Sequence, residues 1–378
     1  MENDDVAIEV EEMLKKAQRL FATKSCCIYR VPHIIRQLNE DAYTPTVVSI
    51  GPLHHWNSRL ISMEGHKQVY CQYFIIERSE ASLSECKEGT AEDDVIASKP
   101  WMASRVGHDL LLLENQIPLF VFEKIYNLAF PPLLDAGGEF PSFILLAAHA
   151  FSCYNKQGLS SPAASSVAHF TDLLRYFYLP PSHTTRHLRK PEALVLGHSA
   201  SELVEAGVKF QVTNKSSHGC ILDLELEHGT LKIPHIKADD ATEIFLRNIV
   251  ALEQCHYPHD HYILDYVIFL GHLMKTNKDA GVLIKAGIIG CIFGGDYESK
   301  VANLFGGVGK NTVVSTTSAC YLKFFNDLDD YCIHPWHSLM ATLRRDYFTS
   351  PWKTAASFGG IVLLILTVIQ TVCSLRQV

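Results

Sequence analysis

The chain has no surplus of positive charge: 33 Lys and Arg stand against 41 Asp and Glu, a formal net charge of −8. A sequence-independent grip on nucleic acid, or broad adhesion to anionic lipid, is therefore not expected. A nucleotide-binding phosphate loop is also missing. Gly306-Gly-Val-Gly309-Lys310-Asn311-Thr312 comes nearest, but Leu304 stands where that pattern needs Gly, and Asn311 where it needs Ser or Thr. No Gly-x-Ser-x-Gly elbow is present, which removes a serine hydrolase of that type. Met1–Val10 is acidic and lacks an apolar core, so no secretory signal is expected. The eleven cysteines show no repeated spacing and read as reduced thiols, not as a disulfide framework. No internal repeat stands out.

What is present is enough apolar material for a real core. The 378 residues are 47% hydrophobic and 20% charged, the balance of a globular chain of one large or two ordinary domains. Val10, Met13, Leu14, Ala17, Leu20 and Phe21 share one helical face, which predicts an acidic N-terminal helix within 1–27. Prolines and Gly51-Pro52 make the next segment extended and turning, with a short β-rich run at Val47–Ile50. Helices are predicted over Leu60–Arg78, Phe143–Tyr154, His169–Leu179, Thr242–Cys255, His261–Thr276, Ala280–Ala286, Tyr297–Leu304 and Cys320–Asp330. Asp109–Tyr126 is apolar nearly all round and predicts a central helix that Pro118 kinks or restarts. Ser79–Ser98 and Ser182–Lys190 read as a loop and a linker.

Between Val208 and Ile233 the period changes. Val208–Val212, Ile221–Leu226 and Leu231–Ile233 alternate, with Gly219 and His228-Gly229 as turns, predicting a small antiparallel sheet. The last stretch, 355–375, carries no charge and approaches the roughly twenty residues of a membrane span. Tyr347, Phe348 and Trp352 precede it, and Arg344, Arg345 and Lys353 outnumber Arg376 beyond it. The expectation is a C-terminal transmembrane helix that tail-anchors a cytosolic body. The fold class expected is thus mainly α-helical (α+β), with a globular body at 28–348, a small antiparallel β insert and that one terminal span.

Several ordered motifs resemble one family. Ile28-Tyr-Arg-Val-Pro32, Tyr43-x-Pro45, Val48-Ser-Ile-Gly-Pro52, His54-His55 and Met63-Glu64-x-His66-Lys67 are similar to the opening signature of the plant DUF247 family, also called UPF0481. Leu113-Glu-Asn-Gln-Ile-Pro118, Leu246-Arg-Asn-Ile-Val-Ala-Leu-Glu-Gln-Cys255 and Tyr347-Phe348…Pro351-Trp352 continue the resemblance to the end of the chain. Ser79–Val106 departs from it, lacking an Asp-Gly-Cys-Phe-Ile-Leu-like segment. The resemblance implies a plant membrane protein, at the plasma membrane, with no established catalytic residues. It points to recognition or signalling and to protein partners.

The candidate site residues are those of the motifs: His54, His55, Glu64, His66, Lys67, Glu114, Asn115, Gln116, Arg247, Asn248 and Glu253. Glu64, Glu114 and Glu253 could pair as carboxylates, or could anchor structure through Lys67, Arg247 and backbone groups. Histidines 54, 55 and 66 with Glu64 could form an acid–base group, or a turn in which Trp56 packs. Cys255, His256, His259 and His261 are the densest ligand-like cluster, but structural zinc sites bring paired ligands from two separated segments. The reading is a non-enzymatic recognition module with no cofactor and no metal; the alternative is a membrane-bound hydrolase or metalloenzyme using these His and Glu residues.

Overall fold

The computed structural model describes residues 27–79, 94–130, 141–179, 189–192, 197–213, 220, 222–291, 295–314, 316–333 and 351–376. The predicted N-terminal helix lies outside them, as do most of the Ser79–Ser98 loop, residues 182–188 of the linker and the aromatic and basic residues 336–348. In chain order the helices are α1 (His33–Arg36), α2 (Ile61–Ser79), α3 (Pro100–Asp109), α4 (Leu119–Ala129), α5 (Phe143–Ala150), α6 (Phe170–Tyr178), α7 (Ala200–Glu205), α8 (Asp240–Cys255), α9 (Tyr262–Leu273), α10 (Asn277–Lys285), α11 (Tyr297–Val308), α12 (Ala319–Ile333) and α13 (Pro351–Arg376). The strands are β1 (Arg189–Lys190), β2 (Lys209–Val212), β3 (Glu225–Glu227), β4 (Thr230–Ile233), β5 (Ile236–Ala238), β6 (Ile289–Cys291) and β7 (Thr317–Ser318). The described residues are mostly helical with small sheets.

Two compact units share the chain. One is Met1–Tyr178 with Ile244–Asp260, and the other is Leu179–Glu243 with His261–Val378, so the division falls within α8. In the first unit, Val31, Ile35, Ala42, Tyr43 and Leu113 form a buried cluster with Ala251 and Leu252 of α8. In the second, α9 packs on α11 and α11 on α10, burying Leu264, Val267, Leu270, Leu283, Val301 and Phe305. Local signals mark these helices well. Thr276 and Asp279 form a capping box at α10, and Ser199 and Glu202 form another at α7. Asp279 also accepts from the Ser199 hydroxyl at 2.7 Å and Ser201 N–H at 2.8 Å, so one carboxylate serves two helix starts. These donors outweigh the opposing effect of burial and hold it down at about 2.

Three expectations change. Asp109–Tyr126 is not one helix: α3 ends at Asp109, a 3-10 turn takes Leu113–Asn115, and α4 restarts after Pro118. Pro118 has no N–H to continue a ladder and caps the new helix instead. Phe120, Ile125 and Leu128 of α4 are exposed, so this helix is not wrapped on all sides. The β insert is mixed, not antiparallel: β4 pairs antiparallel with β3 but parallel with β2. The tight turn between β3 and β4 forces their antiparallel hairpin, whereas the long connection from Val212 to Glu225 lets β2 return in the other sense.

The third correction concerns the terminal helix. Among the described residues, no helix is long and apolar enough to cross a membrane. Gly359-Gly360, Thr367, Gln370 and Thr371 interrupt the apolar run of α13. The transmembrane helix, the tail anchor at 355–375 and the membrane localisation with a cytosolic body are therefore not supported.

The β3–β4 turn yields a test. His228 and Gly229 both have positive φ, 48° and 73°, the signature of a type I′ turn. A Cβ on Gly229 would collide with the Tyr331 hydroxyl, whereas Gly158, at φ +63°, has nothing within 4 Å. Gly158→Ala should cost about 1 kcal/mol for the left-handed backbone alone. Gly229→Ala should cost about 1–3 kcal/mol more from the clash, which urea unfolding of the two variants measures.

Candidate functional site

Residues 46–51 read as a strand but join no sheet, so their backbone groups need other partners. Side chains supply them. Asp109, at the end of α3, accepts from the N–H groups of Thr46, Val47 and Val48 at 2.9, 2.6 and 2.9 Å. Asn115 accepts from Ile50 N–H at 2.7 Å and Gly51 N–H at 3.0 Å, and donates to the carbonyls of Val48 and Asp109 at 2.9 Å each. Both lone-pair directions and both amide protons of Asn115 are thus used. Lys67 donates to Ser49 O at 2.8 Å and pairs with Glu64 at 2.5 Å. Gly51 lies so close to the 113–116 turn that a Cβ would meet Gln116 N at 2.8 Å and Gln116 O at 2.9 Å.

The remaining motif polar groups face other segments. Gln116 donates to Leu110 O at 2.8 Å and Leu112 O at 2.7 Å, and accepts from Phe170 N–H at 3.1 Å, fixing the start of α6. Asn248 of α8 accepts from Leu113 N–H at 2.9 Å and donates to Ala42 O at 2.7 Å and Ile244 O at 2.8 Å. Arg247 is buried beside it in sequence.

Glu114 is buried against Arg36 and His54, two residues that line an open cleft. Its carboxylate accepts from Val31 N–H at 2.9 Å and Arg36 Nε at 3.2 Å. His54 Nε2 stands 3.3 Å from it, in ion-pair range but off the hydrogen-bond direction. Burial pushes the carboxyl up, but His54, the Val31 amide and Arg36 together outweigh that and hold it below the ordinary glutamate range. Arg36 also reaches Thr44 Oγ1 at 2.8 Å and Glu40 at 3.4 Å. The cleft encloses about 570 Å³, with Asp41, Leu53, Trp56, Asn57 and Arg59 also among its lining residues. Trp56 does not pack as its sequence context predicts. It is 89% exposed and touches the edge of His55 with a centroid distance of 4.6 Å. Arg36 and Arg59 were not singled out by sequence, and Trp56 only as a packed turn residue; the signal they carried was nearness to His54-His55 and to Glu40.

A second polar network lies deeper in the same unit. Arg175 of α6 is 3% exposed, donates to Glu253 at 3.0 Å and lies 3.9 Å from the Tyr257 ring centroid. It also donates to the Asp260 carbonyl. Tyr257 donates to Asp172 at 2.8 Å, and Asp172 N–H donates to His169 Nδ1 at 3.2 Å. That bond leaves the proton of neutral His169 on Nε2, a buried atom with no partner among the described residues. Burial, opposed by Asp172 and aided by His256, pushes His169 down to about 4. His169, Asp172 and Arg175 belong to a helix start that carried no motif.

The structure does not gather the other candidates. Glu64, Glu114 and Glu253 each hold their own cation, Lys67, Arg36 and Arg175. His55 lies 3.8 Å from Glu64, and His66 is half-buried on α2. His256 bonds to the Tyr29 hydroxyl, His259 is exposed, and His261 pairs with Asp265 at 3.1 Å in the second unit. Burial raises the Cys255 thiol to about 11, away from thiolate character. Among the described residues no group of three or more His, Cys, Asp or Glu is placed to hold a metal ion.

The two acids and bases predict a two-stage acid response. His169 is harder to protonate when folded, so the unfolded chain takes up its proton first. Stability then falls as pH drops from 6.5 to about 4, by an amount on the order of 3 kcal/mol from linkage. Glu114 has a lowered folded pKa, so its contribution is complete above 4.5 and is lost as pH falls below that value. His169→Gln should flatten the upper limb, and Glu114→Gln the lower one, in urea unfolding measured across pH.

No solved structure matches this chain. The UPF0481 protein At3g47200 of Arabidopsis thaliana is 26% identical over 417 residues, covering 92% of this chain and 86% of that protein. The putative UPF0481 protein At3g02645, also of Arabidopsis thaliana, is 27% identical over 175 residues, 46% of this chain and 32% of that protein. The model of the DUF247 family, described as plant protein of unknown function, matches residues 28–92 and 73–366. With a family match over most of its length, the chain belongs to the DUF247 family of plant proteins of unknown function.

Proposed function

We propose that this chain is a non-enzymatic recognition module that reads a protein partner through the cleft beside Glu114. The observation that supports this reading is a division of labour among the polar groups. Glu114, Asn115, Gln116, Asn248 and Glu253 are committed to backbone groups or to buried cations. A catalytic acid or base needs a lone pair or proton within reach of substrate, and these groups spend theirs holding the fold. Trp56, by contrast, presents nearly its whole ring to solvent at the cleft rim. Trp and Arg dominate the energy of many protein interfaces, and here Trp56 and Arg59 both line the cleft.

Replacing Trp56 with a photo-crosslinking residue in the full chain tests this. Irradiation in plant tissue should give a discrete protein adduct that disappears when Arg59→Ala is added. The same residue placed at exposed Ile333, in the other unit, should give a different pattern. Identical smears from both positions would defeat the reading. Trp56→Ala itself should change stability by no more than about 0.5 kcal/mol, as expected of an exposed side chain.

A further inference from the structure

We infer that the cleft beside Glu114 takes a basic segment of its partner, with a Lys or Arg side chain laid against Trp56 and facing Glu40 and Asp41. This rests on the recognition reading and adds the partner's chemistry to it.

Glu40 and Asp41 line the cleft with Arg36 and Arg59, and the buried Glu114, outside the lining, pairs with Arg36. Arg36 is shared between Glu114 at 3.2 Å and Glu40 at 3.4 Å, so one cation already serves two anions. Glu40 is 65% exposed at its side chain, and Asp41 is exposed beside it. An arriving anion would have to compete with these carboxylates for Arg36 and Arg59. An arriving cation completes the balance at the side of Glu40 and Asp41. The open face of Trp56 supplies a second attraction, because a Lys or Arg head over an indole ring is held by the ring quadrupole. The rest of the protein acts in the same sense: a net charge of −8 favours encounter with a basic partner and disfavours an acidic one. Arg59, which also lines the cleft, is left to meet a backbone carbonyl or an acidic neighbour of the basic residue, which makes a peptide fit better than a simple amine.

The full-length protein should be passed over an array of short peptides of random sequence. Enrichment of Lys and Arg over Asp and Glu among bound peptides is the expected result. For a bound Lys or Arg peptide, Asp41→Asn with Glu40→Gln should weaken affinity about five- to tenfold by calorimetry, and Trp56→Ala should weaken it by a similar factor. Unchanged melting temperatures would show that the variants remain folded. Enrichment of acidic or phosphorylated peptides overturns the charge inference while leaving a recognition cleft in place. Binding that survives all three substitutions places the basic site elsewhere and also overturns it. If no peptide is enriched although the crosslink at position 56 gives its discrete adduct, the basic-segment inference alone fails.

Discussion

Extended backbone that joins neither a helix nor a sheet must still satisfy its N–H and C=O groups, and in this protein a few side chains meet that demand. Asp109 and Asn115 take the place of a neighbouring strand for residues 46–51. Gln116 does the same for the start of α6, and Asn248 closes the amide of Leu113 against the carbonyl of Ala42. Each bond contributes only about 1 kcal/mol net, but leaving a buried group unpaired costs more than making the bond gains. The network is therefore coupled: losing one amide strands several backbone groups at once. The close approach of Gly51 to Gln116 follows from the same geometry, since the two segments touch through backbone and leave no room for a side chain.

Charge is handled differently in the two polar centres of the first unit. Around Arg175 the partners are buried, with Glu253 on one side and the Tyr257 ring stacked on the other. A buried pair of this kind is costly to break, because it leaves an uncompensated ion, even where forming it gains little over an apolar pair. Around Glu114 only the carboxylate itself is buried. Its pairing with Arg36 holds that side chain in place at the cleft, while Glu40, Asp41 and Arg59 stay in solvent, where such charges add little to stability and remain available to a ligand. The same residue types thus hold the interior in one place and shape a surface in the other.

That contrast bears on how the family motifs are read. Polar strings such as Glu114-Asn115-Gln116 invite a catalytic interpretation, yet each of these side chains has a backbone or ionic partner inside the unit. The surface that can meet another molecule is built from neighbours of the motifs: Trp56 and Arg59 follow His54-His55, and Glu40 and Asp41 lie between two of the extended segments.

Most helices were legible because their signals are local. Apolar periodicity and the break at Pro118 depend on residues within a turn or two of each other, whereas the helices Pro100–Asp109 and Ala200–Glu205, though opened by Pro100 and by the Ser199 capping box, are not among those expected. The apolar run at the C-terminus was equally visible. Its reading as a membrane span did not hold, because length and apolarity had to be met by one described helix and were not. The alternation at 208–233 set the strands but not their pairing sense, which the long connection after β2 decided. What sequence could not supply was convergence: Glu114 meets Val31, and Asn248 meets Ala42, across separations of 83 and 206 residues. Whether a buried carboxylate or amide becomes an anchor or a reactive group depends on which partners arrive from such distances. By itself the sequence determined most of the helices and the family, because their signals are local; tertiary structure alone decided that the motif residues hold the backbone together and that Trp56 stands open to solvent.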